Sequence, residues 1–195
     1  MNFSQIPGQS AVIERLRSAV AENRVSHALL FYGPEGSGKF ALALAFARFI
    51  SCENRTADDA CGVCPSCSKY DKLIHPDLHF VFPVIKKKSA TEPVSDTYIS
   101  QWREMVRKSP YFSLSKWTEA MEVANEQALI PVAEAAEIIR KLSLKSFESD
   151  YKIMIIWLPE KMNPETANKL LKISEEPPAR TLFILVSEED DKLLP

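Results

Sequence analysis

The chain has 195 residues, 46% hydrophobic and 26% charged, with a formal net charge of -2. That length supports one well-packed domain rather than two, and the slightly acidic balance excludes wholesale electrostatic attraction to nucleic acid. Apolar runs stay too short to cross a bilayer, and the start, MNFSQIPGQS, has no basic flank leading into an apolar core, so the reading is a cytoplasmic chain without membrane span or secretory signal.

From Gly8 to Asn23, Ile13, Leu16 and Val20 fall on one helical face, with Ser10 as the expected cap. His27 follows, read as a solvated or hydrogen-bonded structural histidine. Ala28 to Ile50 then reads ALLFYGPEGSGKFALALAFARFI: an apolar strand to Tyr32, a glycine-rich turn from Gly33 to Lys39, and an Ala/Leu/Phe-rich helix. The turn, Gly33, Pro34, Glu35, Gly36, Ser37, Gly38 and Lys39, fits the phosphate-binding loop pattern up to its last position. Glycines let backbone amides turn around an anion, the helix N-terminus is positive, and Lys39 can reach terminal phosphates. Where the pattern requires a Ser or Thr hydroxyl for Mg2+ stands Phe40, which offers no oxygen to a hard cation. The alternatives are a loop that binds ATP or ADP without hydrolysis and a tight turn that binds nothing.

All four cysteines follow in one window, Cys52, Cys61, Cys64 and Cys67. Two-residue gaps in a cytosolic chain point to metal before disulfides, and four thiolates satisfy a closed tetrahedral Zn2+ site with a structural role. An iron-sulfur cluster and free thiols are the alternatives, and His75 or His79 is an alternative to the distant Cys52.

His75-Pro76-Asp77 leads into an apolar strand, Leu78 to Phe82, closed by Pro83. Lys86 to Asp96 is polar and turn-rich, with Lys86 to Lys88 read as solvated. Thr97 to Glu126 has a helical pattern punctuated by Trp102, Tyr111, Phe112 and Trp117, aromatics that suggest core rather than a ligand box. Pro131 opens a helix, with Ala135, Ile138, Ile139 and Leu142 expected on its buried side. Tyr151 to Leu158 (YKIMIIWL) reads as a strand buried on both faces of a parallel sheet. A phosphate-loop hydrolase carries a Mg2+-binding Asp at the end of such a strand, and here Trp157-Leu158-Pro159 occupies that corner. Glu160, past the proline, is the nearest acid and the lesser alternative as a displaced metal ligand or base. Asn163-Pro164-Glu165 starts a helix that ends at Glu175-Glu176 before Pro177-Pro178, and Thr181 to Ser187 is the fourth strand.

SHALLFYGPEGSGK, the cysteine module, His75-Pro76-Asp77 and especially ANKLLKISEEPP (Ala167 to Pro178) resemble the clamp-loader subunits of bacterial DNA polymerase III, which are AAA+ proteins. The resemblance implies a three-layer α/β, P-loop-type fold: one N-terminal AAA+ domain over 1–195, with a zinc module at about 52–67 and a helical insertion at about 86–126. The fifth strand, the helical lid and a trans-acting arginine are expected beyond Pro195, and the abrupt ending suits an N-terminal piece. Within the family, Phe40 and Trp157-Leu158 place the chain on the delta-prime side, a non-hydrolysing stator with no intrinsic ATPase or polymerase activity. The other reading is an active gamma/tau-type ATPase. Expected partners are the gamma/tau and delta subunits and, through the complex, the sliding clamp and primed DNA.

Overall fold

The structure, a computed structural model, describes residues 1–86, 92–122 and 127–189. Parts of the polar loop (87–91) and of the expected helical stretch (123–126), and the end of the chain (190–195), lie outside the described residues.

Four strands, β1 (Ala28–Tyr32), β2 (Leu78–Val81), β3 (Lys152–Trp157) and β4 (Thr181–Ser187), make one parallel sheet in the order β1-β4-β3-β2. Every residue of β3 is buried, as the apolar run from Ile153 to Trp157 requires of a strand covered on both faces. The alternation of its side chains separates the two cores. Ile153, Ile155 and Trp157 join the larger one, with α1 (Ser10–Ala21) and α2 (Lys39–Ser51). Met154 and Ile156 join the second, with α6 (Val132–Ser143) and α7 (Pro164–Glu175) on the other face. The result is the expected three-layer α/β arrangement. Between these elements lie α3 (Pro65–Asp71), α4 (Ile99–Lys108) and α5 (Leu114–Ala120). Among the described residues no helix is long and apolar enough to cross a membrane.

Three local expectations need correction. Ser10 is already helical: Gly8 and Gln9 both have positive φ, the turn is complete at Gln9, and Gln9 becomes the N-cap residue. Pro131 is likewise the N-cap of α6 rather than its first residue. Ile139 is 48% exposed, because the stripe facing the sheet is Ala135, Ile138 and Leu142, and Ile139 falls on its solvent flank.

Two buried charges set the lower end of the sheet. The Asp77 carboxylate accepts from the backbone amides of Phe147 (2.6 Å), Glu148 (2.7 Å) and Ser149 (2.8 Å), fastening the loop before β3 to the start of β2. This explains the acid of the His75-Pro76-Asp77 motif as a structural latch. Lys152 donates to the carbonyls of Lys141 (2.8 Å), Leu142 (3.3 Å) and Leu144, filling acceptors left open at the end of α6.

The helical insertion packs on the α2 side of the sheet. Trp102 and Trp117 are fully buried, and Trp102 stacks on Phe82 with ring centroids 4.1 Å apart. Trp117 Nε1 donates to the Pro83 carbonyl at 2.7 Å, and the Tyr98 hydroxyl to the Ile85 carbonyl at 3.1 Å. The insertion is therefore fixed to the chain that leaves β2, and its tryptophans are core, as expected.

Candidate functional site

The glycine turn joins β1 to α2 at the upper end of the sheet. Gly36 and Gly38 have φ of 78° and 81°, a region where a side chain would be strained, so glycine at both positions lets the chain curl here without that strain. The curl is braced from outside, where Gln9 Nε2 donates to the Ser37 carbonyl at 2.9 Å, and from within, where the Ser37 amide donates to the Pro34 carbonyl at 3.2 Å. Lys39 opens the helix but is folded back and buried, its ammonium donating to the Pro34 carbonyl (3.0 Å) and to Glu188 Oε1 (3.3 Å).

The two corners where Mg2+ would need oxygen ligands are occupied by rings. Phe40 is buried, edge-on to Phe112 (centroids 5.4 Å apart) and to Trp102 (5.6 Å). Trp157, at the end of β3, meets the same two rings at 4.9 Å and 5.3 Å. Glu160 is engaged at the end of β4. Its carboxylate accepts from the Ser187 hydroxyl (2.8 Å) and the Glu188 amide (3.0 Å), closing the end of β4. Between the loop and the insertion a cavity of about 20 Å3 remains, lined by Gly36, Gly38, Lys39, Tyr111, Phe112 and Trp157 among others.

The second site stands at the far end of α2. The Sγ atoms of Cys52, Cys61, Cys64 and Cys67 all lie within 4.8 Å of one another, and none forms a disulfide. Cys52 Sγ and Cys64 Sγ are 3.9 Å apart, close to the roughly 3.8 Å expected between thiolates on one tetrahedral ion with 2.3 Å bonds. The four sulfurs can hold a single metal ion. Amides already point at them: Cys61 N to Cys52 Sγ (3.2 Å), Cys64 N to Cys61 Sγ (3.4 Å) and Cys67 N to Cys64 Sγ (3.4 Å). The amides of Val63 and Cys64 pull the Cys61 thiol down to about 6, while burial pushes Cys52 up to about 12 and Cys67 upward. Cys52 belongs to the cluster, and neither histidine takes its place. His75 instead accepts from the Asp77 amide at Nδ1, and His79 sits in β2.

Arg48 ties the cysteine module to α2. Buried on the helix, it makes a two-pronged contact with Asp71 (2.8 and 3.0 Å) and donates to the Gly62 carbonyl (3.2 Å). Its role escaped the sequence reading, as did those of Tyr111 and Glu188. A lone basic residue in an apolar helix was the available signal for Arg48; for the other two there was none.

The family model described as "DNA polymerase III, delta subunit" matches residues 8–195. The chain is 27% identical over 186 residues to the DNA polymerase III subunit delta' of Bacillus subtilis, covering 95% of this chain and 44% of that protein. It is 29% identical over 170 residues to the delta' subunit of Pseudomonas aeruginosa, covering 87% of this chain and 40% of that one. It is also 28% identical over its full length to the gamma/tau subunit of Mycobacterium tuberculosis, of which it covers 26%. A crystal structure of a DNA polymerase III gamma subunit-related protein from Thermotoga maritima superposes with a TM-score of 0.51 at 15% identity, over 94% of this chain and 41% of that one, which supports the fold. The chain thus spans less than half the length of each of these relatives.

Proposed function

The chain belongs to the DNA polymerase III delta-subunit family, and from that premise we propose that it is the AAA+ portion of a delta-prime-type clamp-loader subunit, a non-hydrolysing scaffold in loading the sliding clamp onto primed DNA. One observation carries the reading: Phe40 and Trp157 meet the same two rings, Phe112 and Trp102, in the volume where a nucleotide-bound Mg2+ would need oxygen ligands. A hydrolytic site cannot neutralise developing phosphate charge through phenyl and indole groups.

The proposed partners are gamma/tau and delta subunits, which would supply the working ATP sites. The four cysteines would hold structural Zn2+, since a site with all four positions filled by protein leaves none for a reacting water. One domain over 1–195, with the cysteine module and the helical insertion as embellishments, is the proposed organisation. The gamma/tau reading draws on the full-length similarity to a gamma/tau subunit and on the retained Gly36, Gly38 and Lys39. ATP turnover separates the two. The full-length protein, alone and in a reconstituted clamp loader, is expected to add no Mg2+-dependent hydrolysis that Lys39→Ala removes; robust turnover lost in Lys39→Ala would establish the motor reading instead.

A further inference from the structure

The magnesium corners explain why this chain would not hydrolyse nucleotide; they do not explain whether nucleotide can enter. Many features of a binding loop survive. Gly36 and Gly38 keep the left-handed backbone that turns amides inward, and Lys39 keeps its place at the start of α2. We propose that nucleotide is excluded by an intramolecular plug, the turn Pro110-Tyr111-Phe112 between α4 and α5, rather than by the loop's own sequence. The inference deepens the scaffold reading above and rests on it.

Three observations converge on this turn. First, Tyr111 lies beside the loop: a Cβ placed on Gly38 would stand 3.3 Å from Tyr111 Cε1, so the ring borders the space a side chain would take at this glycine, on the side a phosphate would need to approach. Second, the cavity left beside Gly36, Gly38 and Lys39 measures about 20 Å3. A water needs roughly 10–15 Å3 of such space, so one water fits and a phosphate group with its oxygens does not. Third, the cation that would meet terminal phosphates is engaged within the chain, with Pro34 and Glu188 as acceptors.

The plug is not a loose loop. Phe112 is held between Phe40 and Trp157, with centroids at 5.4 Å and 4.9 Å, and the helices on either side are anchored by the buried Trp102 and Trp117. Withdrawing the turn would strip apolar cover from Phe40 and Trp157 at once. A groove of about 330 Å3 on the β1 side of the loop stays open, but its lining includes Gly33, Pro34 and Lys39 and not Gly38, Phe40 or Trp157. Tyr111 is 37% exposed, so its ring can be removed at small structural cost, whereas Phe112 packs against Phe40, Trp102 and Trp157.

The test is binding of mant-ADP and mant-ATP, with and without Mg2+, to the full-length protein and to Tyr111→Ala and Tyr111→Ala/Phe112→Ala, each checked for cooperative melting. Wild type is expected to show no saturable binding into the millimolar range. Tyr111→Ala should gain affinity by roughly tenfold or more, and adding Lys39→Ala to it should abolish the gain. Tight binding by wild type that Lys39→Ala removes would overturn the plug. So would a folded Tyr111→Ala that binds no better than wild type, which also decides the matter if the double variant does not fold. Wild-type binding without turnover would defeat the plug alone, whereas Mg2+-dependent turnover would defeat the scaffold reading.

Discussion

Replacing Phe40 by Thr restores the hydroxyl that a phosphate-loop motif places on magnesium, and the structure makes the outcome unusual. Phe40 is 5% exposed and wedged among Phe112 and Trp102, so truncating its ring opens a cavity beneath the insertion. Large-to-small changes of a buried Phe cost about 3–5 kcal/mol, and Thr, keeping one methyl, falls near the lower half of that range, about 3–4 kcal/mol. With a urea slope of about 2 kcal/mol per molar, the unfolding midpoint should fall by about 1.5–2 M. Mg2+-dependent ATP turnover should not appear, because the opposite corner, Trp157-Leu158-Pro159, still supplies no side-chain oxygen. A midpoint shift below about 0.5 M, or hydrolysis gained by this single change, would refute the claim that Phe40 is a core residue standing where a metal ligand would be.

Asp77→Ala leaves three amides without their acceptor and should lower stability by about 3–5 kcal/mol in guanidinium denaturation, since each charge-assisted bond contributes about 1.5–3 kcal/mol and the three are not additive. Asp77→Asn, retaining one oxygen, should lose about half as much, and equal losses would contradict the latch. Removing metal with a chelator should cost about 4 kcal/mol when free metal had been about a thousand times its dissociation constant. Metal stoichiometry should fall as far in Cys52→Ser as in Cys64→Ser, and undiminished metal in Cys52→Ser would exclude it as a ligand. Burial, with Lys141 and Lys152 adding repulsion, holds His79 at about 4 in the folded chain against 6.5 ordinarily. The unfolded chain therefore takes up the proton first, and stability should decline as pH falls from about 6.5 toward 4, by about 2–3 kcal/mol. Burial also lowers His75 and acts in the same direction, so His79→Gln should flatten most but not all of the slope in urea midpoints measured across that interval.

The four strands, the glycine turn and the cysteine module were legible in the residues because each is a local signal. An apolar run such as Ile153 to Trp157 suits a strand covered on both faces, and the two-residue gaps bring Cys61, Cys64 and Cys67 together through a turn and the start of α3. Errors arose where a boundary depends on one backbone angle, as at Ser10, or on which side of a helical stripe meets the sheet, as at Ile139. Cys52 was the ambiguous member of the cluster because eight residues separate it from the next cysteine, and only the packed fold distinguishes it from two nearby histidines.

By itself the sequence determined that the two positions at which the phosphate-loop pattern calls for magnesium ligands, Phe40 and Trp157-Leu158, carry no side-chain oxygen, because side-chain chemistry is readable at a motif position without knowing the fold. Only the tertiary structure decided what replaced them: Phe40 and Trp157 are more than a hundred residues apart along the chain, and Phe112 lies between them in neither motif. Their meeting is set by non-directional apolar packing, which leaves no spacing rule in the sequence to read.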